Sequence, residues 1–293
     1  MELIRQGKVK RYFRARHKLS FPGAISHITQ RAPGKEMLFI DASDYLFMIH
    51  LIKESAKRYN LRFYSFALMP NHLHLLLQTE KNNLSNALKR TFNSYAFYFN
   101  RKYERKGHVF CGRFRQALCF DDTYFLASSI YIHMNPVVAG LSKSVAGYRW
   151  SSIKPFIQNF NRKTFINYKF VLKILDQDLN IAREKYKELV KRSLEIKLKN
   201  SLEHADALTQ FRDKFINLLK QIIAPEEELK SVFTFDSEID ALVKTKYYKN
   251  PKTLAEKKYL IEQLLANGYK VSEIAKKLGV TRQAIYYMLK QKT

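Results

Sequence analysis

Two histidines separated by a single leucine, His72 and His74, are the residues of this chain best suited to chemistry. They fall in an apolar, strand-like run at 72–79 that follows a turn at Pro70 and Asn71. Alternate side chains of a strand point to the same face, so the two imidazoles project together and can share a divalent metal ion. A histidine pair that merely covers a half-buried sheet face is the alternative.

A tyrosine and an asparagine, Tyr131 and Asn135, form the second candidate constellation. They lie four residues apart in a predicted helix at 121–135, and side chains at that spacing share one helical face. Because this helix follows a predicted strand at 112–120, it can cross the sheet near the histidines. It would then bring a hydroxyl nucleophile and a polar metal ligand to the same place. In the alternative interpretation, Tyr131 is a core aromatic residue and Asn135 ends the helix before Pro136.

The elements that must position these residues alternate between strands and helices. Period-two patterns predict the strands, and amphipathic stretches with capping residues predict the helices. The strands are predicted at 23–32, 61–70, 72–79 and 112–120, and the helices at 41–60, 83–103 and 121–135. This order predicts an α+β, ferredoxin-like fold: a four-stranded antiparallel sheet with two helices on one face, and a further helix after the last strand.

The composition changes after Trp150, and three regions are predicted from it. Residues 1–155 would form the α+β domain. Residues 156–204, which are rich in Lys, Asn and Asp, would form a helical connector. Residues 205–293 would form an all-α domain that carries a helix-turn-helix at 271–290.

The segment 271–290 has the apolar spacing of a helix-turn-helix. Gly279 supplies the turn, and Thr281 can cap the second helix. That helix would enter the major groove of duplex DNA. The side chains expected near base edges or phosphates are Arg282, Gln283 and Tyr286. A helical hairpin used for protein contacts is the alternative.

The charge balance of the whole chain favours a polyanionic partner. Its 293 residues carry 52 Lys+Arg against 26 Asp+Glu, a formal net charge of +26. Such a surplus raises self-repulsion in the compact state, and binding of nucleic acid explains it. No apolar run approaches the ~18 residues of a membrane span, and the basic N-terminus lacks the apolar segment of a secretory signal. We therefore expect no membrane partner and a cytoplasmic, nucleoid-associated location.

Cations alternate with aromatic residues between positions 101 and 115. Such a surface can hold backbone phosphates while rings stack on unpaired bases. The candidate nucleic-acid contacts are Arg101, Lys102, Arg105, Arg113 and Arg115. A solvated basic face is the alternative for each of them.

These motifs resemble the single-tyrosine transposases of the HUH superfamily of single-strand DNA nucleases, which is named for its His-hydrophobic-His motif. The resemblance covers about residues 11–155. The segments that carry it are PGAISHITQRA, FALMPNHLHLLL, NRKYERKGHVFCGRF, DDTYFLASSIYIHMNPVVAG and GYRWSS. The most similar branch is that of the transposases associated with repetitive extragenic palindromes, whose tyrosine helix reads Tyr-Ile-x-x-Asn-Pro. Four other tyrosines lack this context: Tyr124 on the same predicted helix, and Tyr95, Tyr98 and Tyr103 on the preceding one.

The resemblance implies a metal-dependent DNA transposase and nuclease. Tyr131 would attack single-stranded or hairpin DNA, giving a 5′-phosphotyrosine intermediate and a free 3′-OH that can rejoin strands. His72, His74 and Asn135 would hold Mg²⁺ or Mn²⁺, with water in place of Asn135 as the open alternative. No nucleotide cofactor would be needed, because the phosphotyrosine is itself an activated diester.

A second functional class stays open at this stage. The chain would then be a transposase-derived DNA-binding regulator without catalytic activity, and an RNA-directed role is a more distant option. The sequence leaves the oligomeric state open, with a homodimer among the options. It also leaves open the target DNA sequence.

Overall fold

A computed structural model describes most of the chain. The residues it describes are 18, 20, 22–34, 36–119, 122–196, 207–222, 257–258, 260–261, 264–265 and 270–290. Among these residues, no helix combines the length and the hydropathy that crossing a bilayer requires.

A four-stranded antiparallel sheet forms the centre of the fold. Its strands are β1 (Ile25–Arg31), β2 (Leu61–Met69), β3 (His72–Thr79) and β4 (Arg115–Leu118), in the spatial order β2-β3-β1-β4. Three long helices accompany it: α1 (Ala42–Tyr59), α2 (Leu84–Lys102) and α3 (Asp122–Val138). The chain order β1-α1-β2-β3-α2-β4 and this strand arrangement are those of the ferredoxin-like fold. The predicted fold class is therefore confirmed.

The register between β1 and β3 divides the residues of the sheet between its two faces. Thr29 pairs with His74 and Arg31 with His72, so these four side chains lie on one face. Gln30, which lies between Thr29 and Arg31, points to the opposite face. Helix α3 packs on β2 and β3 over the histidine face, whereas α1 and α2 pack together.

Helix α3 continues past the position where the sequence predicts its end. Pro136 was expected just beyond the helix, but it lies inside the last turn, and the helix ends at Val138. The proline removes one backbone donor, and the turn is still closed by the amide of Ala139, which donates to the carbonyl of Asn135 at 2.9 Å. Gly140, with a φ of 71°, then reverses the chain.

Strand β4 is shorter than the predicted strand at 112–120. Its pairing with β1 runs only from Thr29–Arg115 to Ser26–Leu118. Gly112 has a φ of 67°, which is incompatible with an extended strand. The segment before Arg115 is therefore a loop, and it forms one wall of a groove described below.

Helices from residue 154 onward complete the hydrophobic core of the sheet. They are α4 (Lys154–Ile157), α5 (Tyr168–Leu172), α6 (Leu179–Ser193) and α7 (Ala207–Ile222). Tyr186 of α6 and Phe211 of α7 are fully buried in the same apolar cluster as the sheet and α3. The predicted division at residues 155 and 204 stays a prediction, and residues 197–206 lie outside the described part of the chain.

The helix-turn-helix forms as predicted. Helix α8 (Val271–Lys277) and helix α9 (Arg282–Lys290) are joined by a turn in which Gly279 has a φ of 58°. The hydroxyl of Thr281 accepts a hydrogen bond from the amide of Ala284 at 3.1 Å, which is the predicted cap. A second apolar cluster joins the hairpin to the sheet. It includes Ile274, Leu278, Ile285, Met288, Leu260, Ile261, Leu118 and Ala24.

Candidate active site

The two predicted metal-binding histidines lie side by side on β3, and each is held at its Nδ1 atom. Their ring centroids are 5.0 Å apart. His72 Nδ1 donates to Asn71 Oδ1 at 2.6 Å. His74 Nδ1 lies 3.0 Å from His27 Nε2 and 3.2 Å from the hydroxyl of Thr29. Such partners fix the orientation of a metal-binding imidazole and direct its other nitrogen toward the ion.

The Nε2 atoms of both histidines are buried, and neither has a hydrogen-bond partner in the described structure. A buried polar atom without a partner is costly, so its presence requires an explanation. Because Asn71 Oδ1 accepts from His72 Nδ1, the Nε2 of His72 carries a lone pair, and that of His74 carries one in the tautomer whose Nδ1 donates to His27 or Thr29. In that tautomer the two adjacent nitrogens fit a shared divalent cation. No group of three or more His, Cys, Asp or Glu residues suited to a metal occurs among the described residues. Asn135, the amide predicted as a third ligand, is not of these residue types.

Burial keeps both imidazoles neutral, which is the form that binds metals. Burial, together with the nearby cation of Arg31, lowers the pKa of His72 to about 4. Burial also holds the pKa of His74 well below its usual value, with contributions from His72, His27 and Arg31. Both rings are therefore uncharged at neutral pH, because a cation at either position would lose its solvation.

Tyr131 lies against this histidine cluster. Its ring meets those of His74 and His27 edge-on, with centroids 6.0 and 5.9 Å away. Tyr131 is only 2% exposed. Phe211 of α7 packs on it, with 5.7 Å between the ring centroids. The fold thus brings together the predicted nucleophile and the predicted metal ligands, and it also covers them. Tyr124, the alternative on the same helix, lies under Arg212 instead.

Asn135 lies one turn after Tyr131 and is buried. Its side-chain amide donates to the backbone carbonyl of Tyr131 at 2.6 Å, which holds the side chain against its own helix. Within the described residues, no hydrogen bond joins Asn135 to either histidine. The contact that the structure shows for the Asn135 side chain is thus with Tyr131 of its own helix. The role of Asn135 as a third metal ligand stays a prediction.

His133, between Tyr131 and Asn135 in sequence, belongs to a separate polar network. Its ring nitrogens lie 2.7 Å from the Tyr186 hydroxyl and 2.8 Å from that of Ser152. Burial lowers its pKa to about 3. Both ring nitrogens are occupied by protein groups, so this histidine ties α3 to the helices that follow and is not a candidate ligand.

Two residues of β1, His27 and Arg31, lie beside His72 and His74 and were not predicted from the sequence as site residues. His27 contacts His74, and Arg31 lies opposite His72 across the strand pair. Both occupy odd positions in the alternating strand, so the pattern places them on one face of β1. Their proximity to β3 depends on the strand order and register, which a single strand pattern does not contain.

The predicted nucleic-acid contacts have different surroundings. Lys102 forms ion pairs with Asp41 at 2.6 Å and Asp44 at 2.8 Å, and Arg105 pairs with Glu36 at 2.6 Å. Arg101 and Arg113 are exposed. Arg115 is half-buried, and it lies opposite Thr29 in the register of β1 and β4, on the face of the sheet that carries the histidines. Arg282, Gln283 and Tyr286 are exposed on α9 and line one surface cavity.

Comparisons with known proteins agree with this architecture. Residues 24–135 match the family described as transposase, IS200-like, a range that contains the sheet, both histidines, Tyr131 and Asn135. The match confirms the resemblance to single-tyrosine transposases over that part of the chain. Residues 253–291 match the family described as bacterial regulatory protein, Fis family.

One solved structure is similar over part of the chain, that of a REP-associated tyrosine transposase bound to a REP hairpin. It shares 16% identity, covers 46% of this chain and 80% of its own, and superposes with a TM-score of 0.41. No curated protein sequence matches the chain.

Proposed function

Proceeding from the similarity of residues 24–135 to IS200-like transposases, we propose that this protein is a metal-dependent DNA strand transferase. Its substrate is single-stranded or hairpin DNA, which it cleaves and rejoins through Tyr131. The observation that carries the proposal is the packing of Tyr131 against His74, 6.0 Å between ring centroids, on a face with two partnerless imidazole nitrogens.

In the proposed reaction, the Tyr131 oxygen attacks a backbone phosphorus atom. A bond forms between that oxygen and phosphorus, the P–O3′ bond breaks, and the phenolic proton is lost to solvent. The products are a 5′-phosphotyrosine and a DNA strand whose 3′ oxygen has taken up a proton. Attack by a 3′-OH on the phosphotyrosine reverses these changes and joins two strands.

His72, His74 and, as third ligand, Asn135 would hold Mg²⁺ or Mn²⁺. When bound, the ion would polarise the scissile phosphate and stabilise charge on its oxygens. The protein's own contribution is positional. Asn71 and Thr29 hold the two imidazoles, and the buried surroundings keep them neutral.

Detection of a covalent protein–DNA adduct tests the proposal. Purified protein is incubated with Mn²⁺ and a labelled hairpin oligonucleotide taken from repeats beside its gene, and the product is resolved under denaturing conditions. We expect an adduct with the parent protein and with Tyr124→Phe, and none with Tyr131→Phe. An adduct of unchanged yield in Tyr131→Phe would exclude this tyrosine as the nucleophile.

A second candidate function is favoured by the burial of Tyr131. A chain that keeps this side chain 2% exposed under Phe211, and that also carries a helix-turn-helix, could act as a DNA-binding regulator without chemistry. Sequence-specific duplex binding, with no adduct on any hairpin from the gene's surroundings, would support the regulator over the strand transferase.

The helix-turn-helix supports a second DNA partner in either case. Arg282, Gln283 and Tyr286 project from the exposed face of α9, where a recognition helix presents side chains to the major groove. We infer that this hairpin binds duplex DNA, while the ferredoxin-like part handles unpaired strands.

A further inference from the structure

One face of α2 carries a stripe of amide, cationic and aromatic side chains that the proposed reaction does not use. Asn86, Lys89, Asn93 and Phe97 follow one another at spacings of three and four residues, so they lie along one side of the helix. All four are exposed, and Phe97 is 71% exposed. A single exposed ring is normal on a protein surface, but beside amide and cationic side chains it offers a face on which an unpaired base can stack.

Three members of this stripe, Asn86, Lys89 and Asn93, line one wall of a groove. Phe97 is not part of that lining and lies one turn further along the same side of the helix. The opposite wall is the loop that precedes β4, residues 107–114, and the groove has a volume of about 950 Å³. Lys89, Lys18 and Arg113 line it, and no acidic residue does. Helix α2 contains no Asp or Glu along its whole length. The lining of the groove is therefore positively charged, which favours binding of a polyanion.

Lys18, which lines the groove, lies close to other cations. Burial together with the charges of Arg113 and Arg115 lowers the pKa of Lys18 to about 8. Crowded cations of this kind repel one another, and an anion placed among them would relieve the repulsion. Lys18 also lies 5.4 Å above the ring of Phe114, so cations and aromatic rings alternate here.

The groove is distinct from the tyrosine and histidine site. Gln30 lines it, together with Phe92 of α2. Thr29 and Arg31, the sequence neighbours of Gln30, point to the opposite face of β1, where the histidines lie. A DNA strand in the groove would therefore lie on the other side of the sheet from the reacting phosphate.

We propose that this groove binds an unpaired segment of the DNA substrate outside the cleavage site. The proposal rests on the proposed function for the nature of its ligand. Lys89 and Arg113 contact phosphates, and the amides of Asn86 and Asn93 bond to base edges. A base that leaves the groove past Asn93 stacks on Phe97, one turn further along α2. Amides both donate and accept hydrogen bonds, which suits exposed base edges better than a bare phosphate backbone.

Binding measurements in a background without chemistry test the groove. In Tyr131→Phe protein, affinity for a fluorescent single-stranded oligonucleotide is measured by anisotropy, with and without the triple change Lys89→Gln, Asn93→Ala and Phe97→Ala. We expect the triple variant to bind at least about tenfold more weakly, since one stacked base alone contributes roughly that much. All three side chains are exposed, so thermal unfolding should be unchanged.

A matched control separates the groove from general loss of charge and apolar surface. The double change Lys53→Gln and Leu46→Ala removes an exposed cation and an exposed apolar side chain from α1, and it should leave the affinity unchanged. Equal affinity of the triple variant and its parent would overturn the proposal. A loss of affinity confined to duplex DNA would also overturn it.

A cross-link gives a second measurement. Single-stranded DNA containing 5-iodouracil is irradiated in complex with the full-length protein, and the attached residue is identified by mass spectrometry. Attachment on α2 or in the loop at 107–114 supports the groove, and attachment only outside these two segments contradicts it.

The outcomes also separate this proposal from the proposed reaction. Weaker binding by the triple variant, with no adduct formed by the parent protein, would leave the groove standing and remove the strand transferase. Adduct formation by the parent protein, with unaltered DNA affinity in the triple variant, would support the strand transferase and exclude the groove as a DNA-binding site.

Discussion

The histidine pair is suited to chemistry because each ring has one occupied nitrogen and one buried nitrogen that is not hydrogen-bonded. Asn71, His27 and Thr29 hold the Nδ1 atoms, and the Nε2 atoms of His72 and His74 have no partner in the described structure. Ordinary core histidines satisfy both nitrogens, as His133 does. This contrast with His133 supports the proposed role of His72 and His74 as metal ligands.

Removal of one member of the pair should abolish metal binding. Mn²⁺ binding is measured by calorimetry for the parent, His74→Ala and His50→Ala, the last being an exposed histidine on α1. We expect at least a hundredfold weaker binding for His74→Ala, because a single imidazole remains, and no change for His50→Ala. Equal affinities for parent and His74→Ala would show that the ion binds elsewhere.

The N-terminal end of α1 is held against the C-terminal end of α2 by ion pairs and hydrogen bonds. Asp44, in the first turn of α1, has a fully buried side chain and accepts hydrogen bonds from Lys102 and from the Tyr103 hydroxyl, both at 2.8 Å. Lys102 is thus committed to two carboxylates within the fold. Its predicted role in DNA binding would require it to leave Asp41 and Asp44.

The pH dependence of stability should reflect this pairing. Burial alone would raise the pKa of Asp44, but Lys102 and backbone donors outweigh it and lower the pKa below 3.8. A carboxyl with a lower pKa in the folded state contributes stability that is present above its unfolded pKa and lost as the pH falls. We expect the free energy of unfolding to drop below about pH 3.8, measured by urea denaturation.

Two variants provide the controls for that titration. Asp44→Asn should unfold more readily at neutral pH and lose part of the drop in stability below pH 3.8. Lys102→Met should cost roughly 3 kcal/mol at neutral pH, because it leaves a buried carboxylate without its cation. An unaltered pH profile in Asp44→Asn would show that other carboxylates cause the acid transition.

Helix α7 covers Tyr131, and Phe211 makes the contact. Phe211→Ala should lower the free energy of unfolding by about 3–5 kcal/mol, as expected for a fully buried ring. It should also raise the rate at which tetranitromethane nitrates Tyr131, measured by mass spectrometry under conditions where the protein stays folded.

Phe156→Ala is the matched control for the loss of the contact between Phe211 and Tyr131. Phe156 is also fully buried, but it packs on His133 and Tyr186 and not on Tyr131. It should cost a similar stability without the same gain in nitration. Equal nitration in both variants would mean that general loosening, and not the loss of Phe211, exposes Tyr131.

Across the whole molecule, the net charge of +26 predicts that DNA binding weakens steeply with salt. Arg282→Ala should reduce duplex affinity about tenfold, because an arginine at the start of a recognition helix contacts base edges or phosphates. Adduct formation on single-stranded DNA should stay unchanged. The exposed Lys143→Ala, near the end of α3, provides a charge-matched control, and an equal loss of duplex affinity there would indicate non-specific attraction.

Local patterns determined much of this protein. The shared face of His72 and His74, the spacing of Tyr131 and Asn135, the order of strands and helices, and the helix-turn-helix all follow from periodicities within short segments. These periodicities reflect the geometry of one strand or one helix, which is why the sequence by itself was sufficient for them.

Only the tertiary structure decided which distant residues meet. The approach of His27 and Arg31 to the pair depends on register between strands, and the pairing of Lys102 with Asp44 on the packing of two helices. The cover of Phe211 over Tyr131 joins residues 80 positions apart in the chain. Such contacts are selected by burial and charge across the whole core, because no local pattern specifies which surfaces pack together.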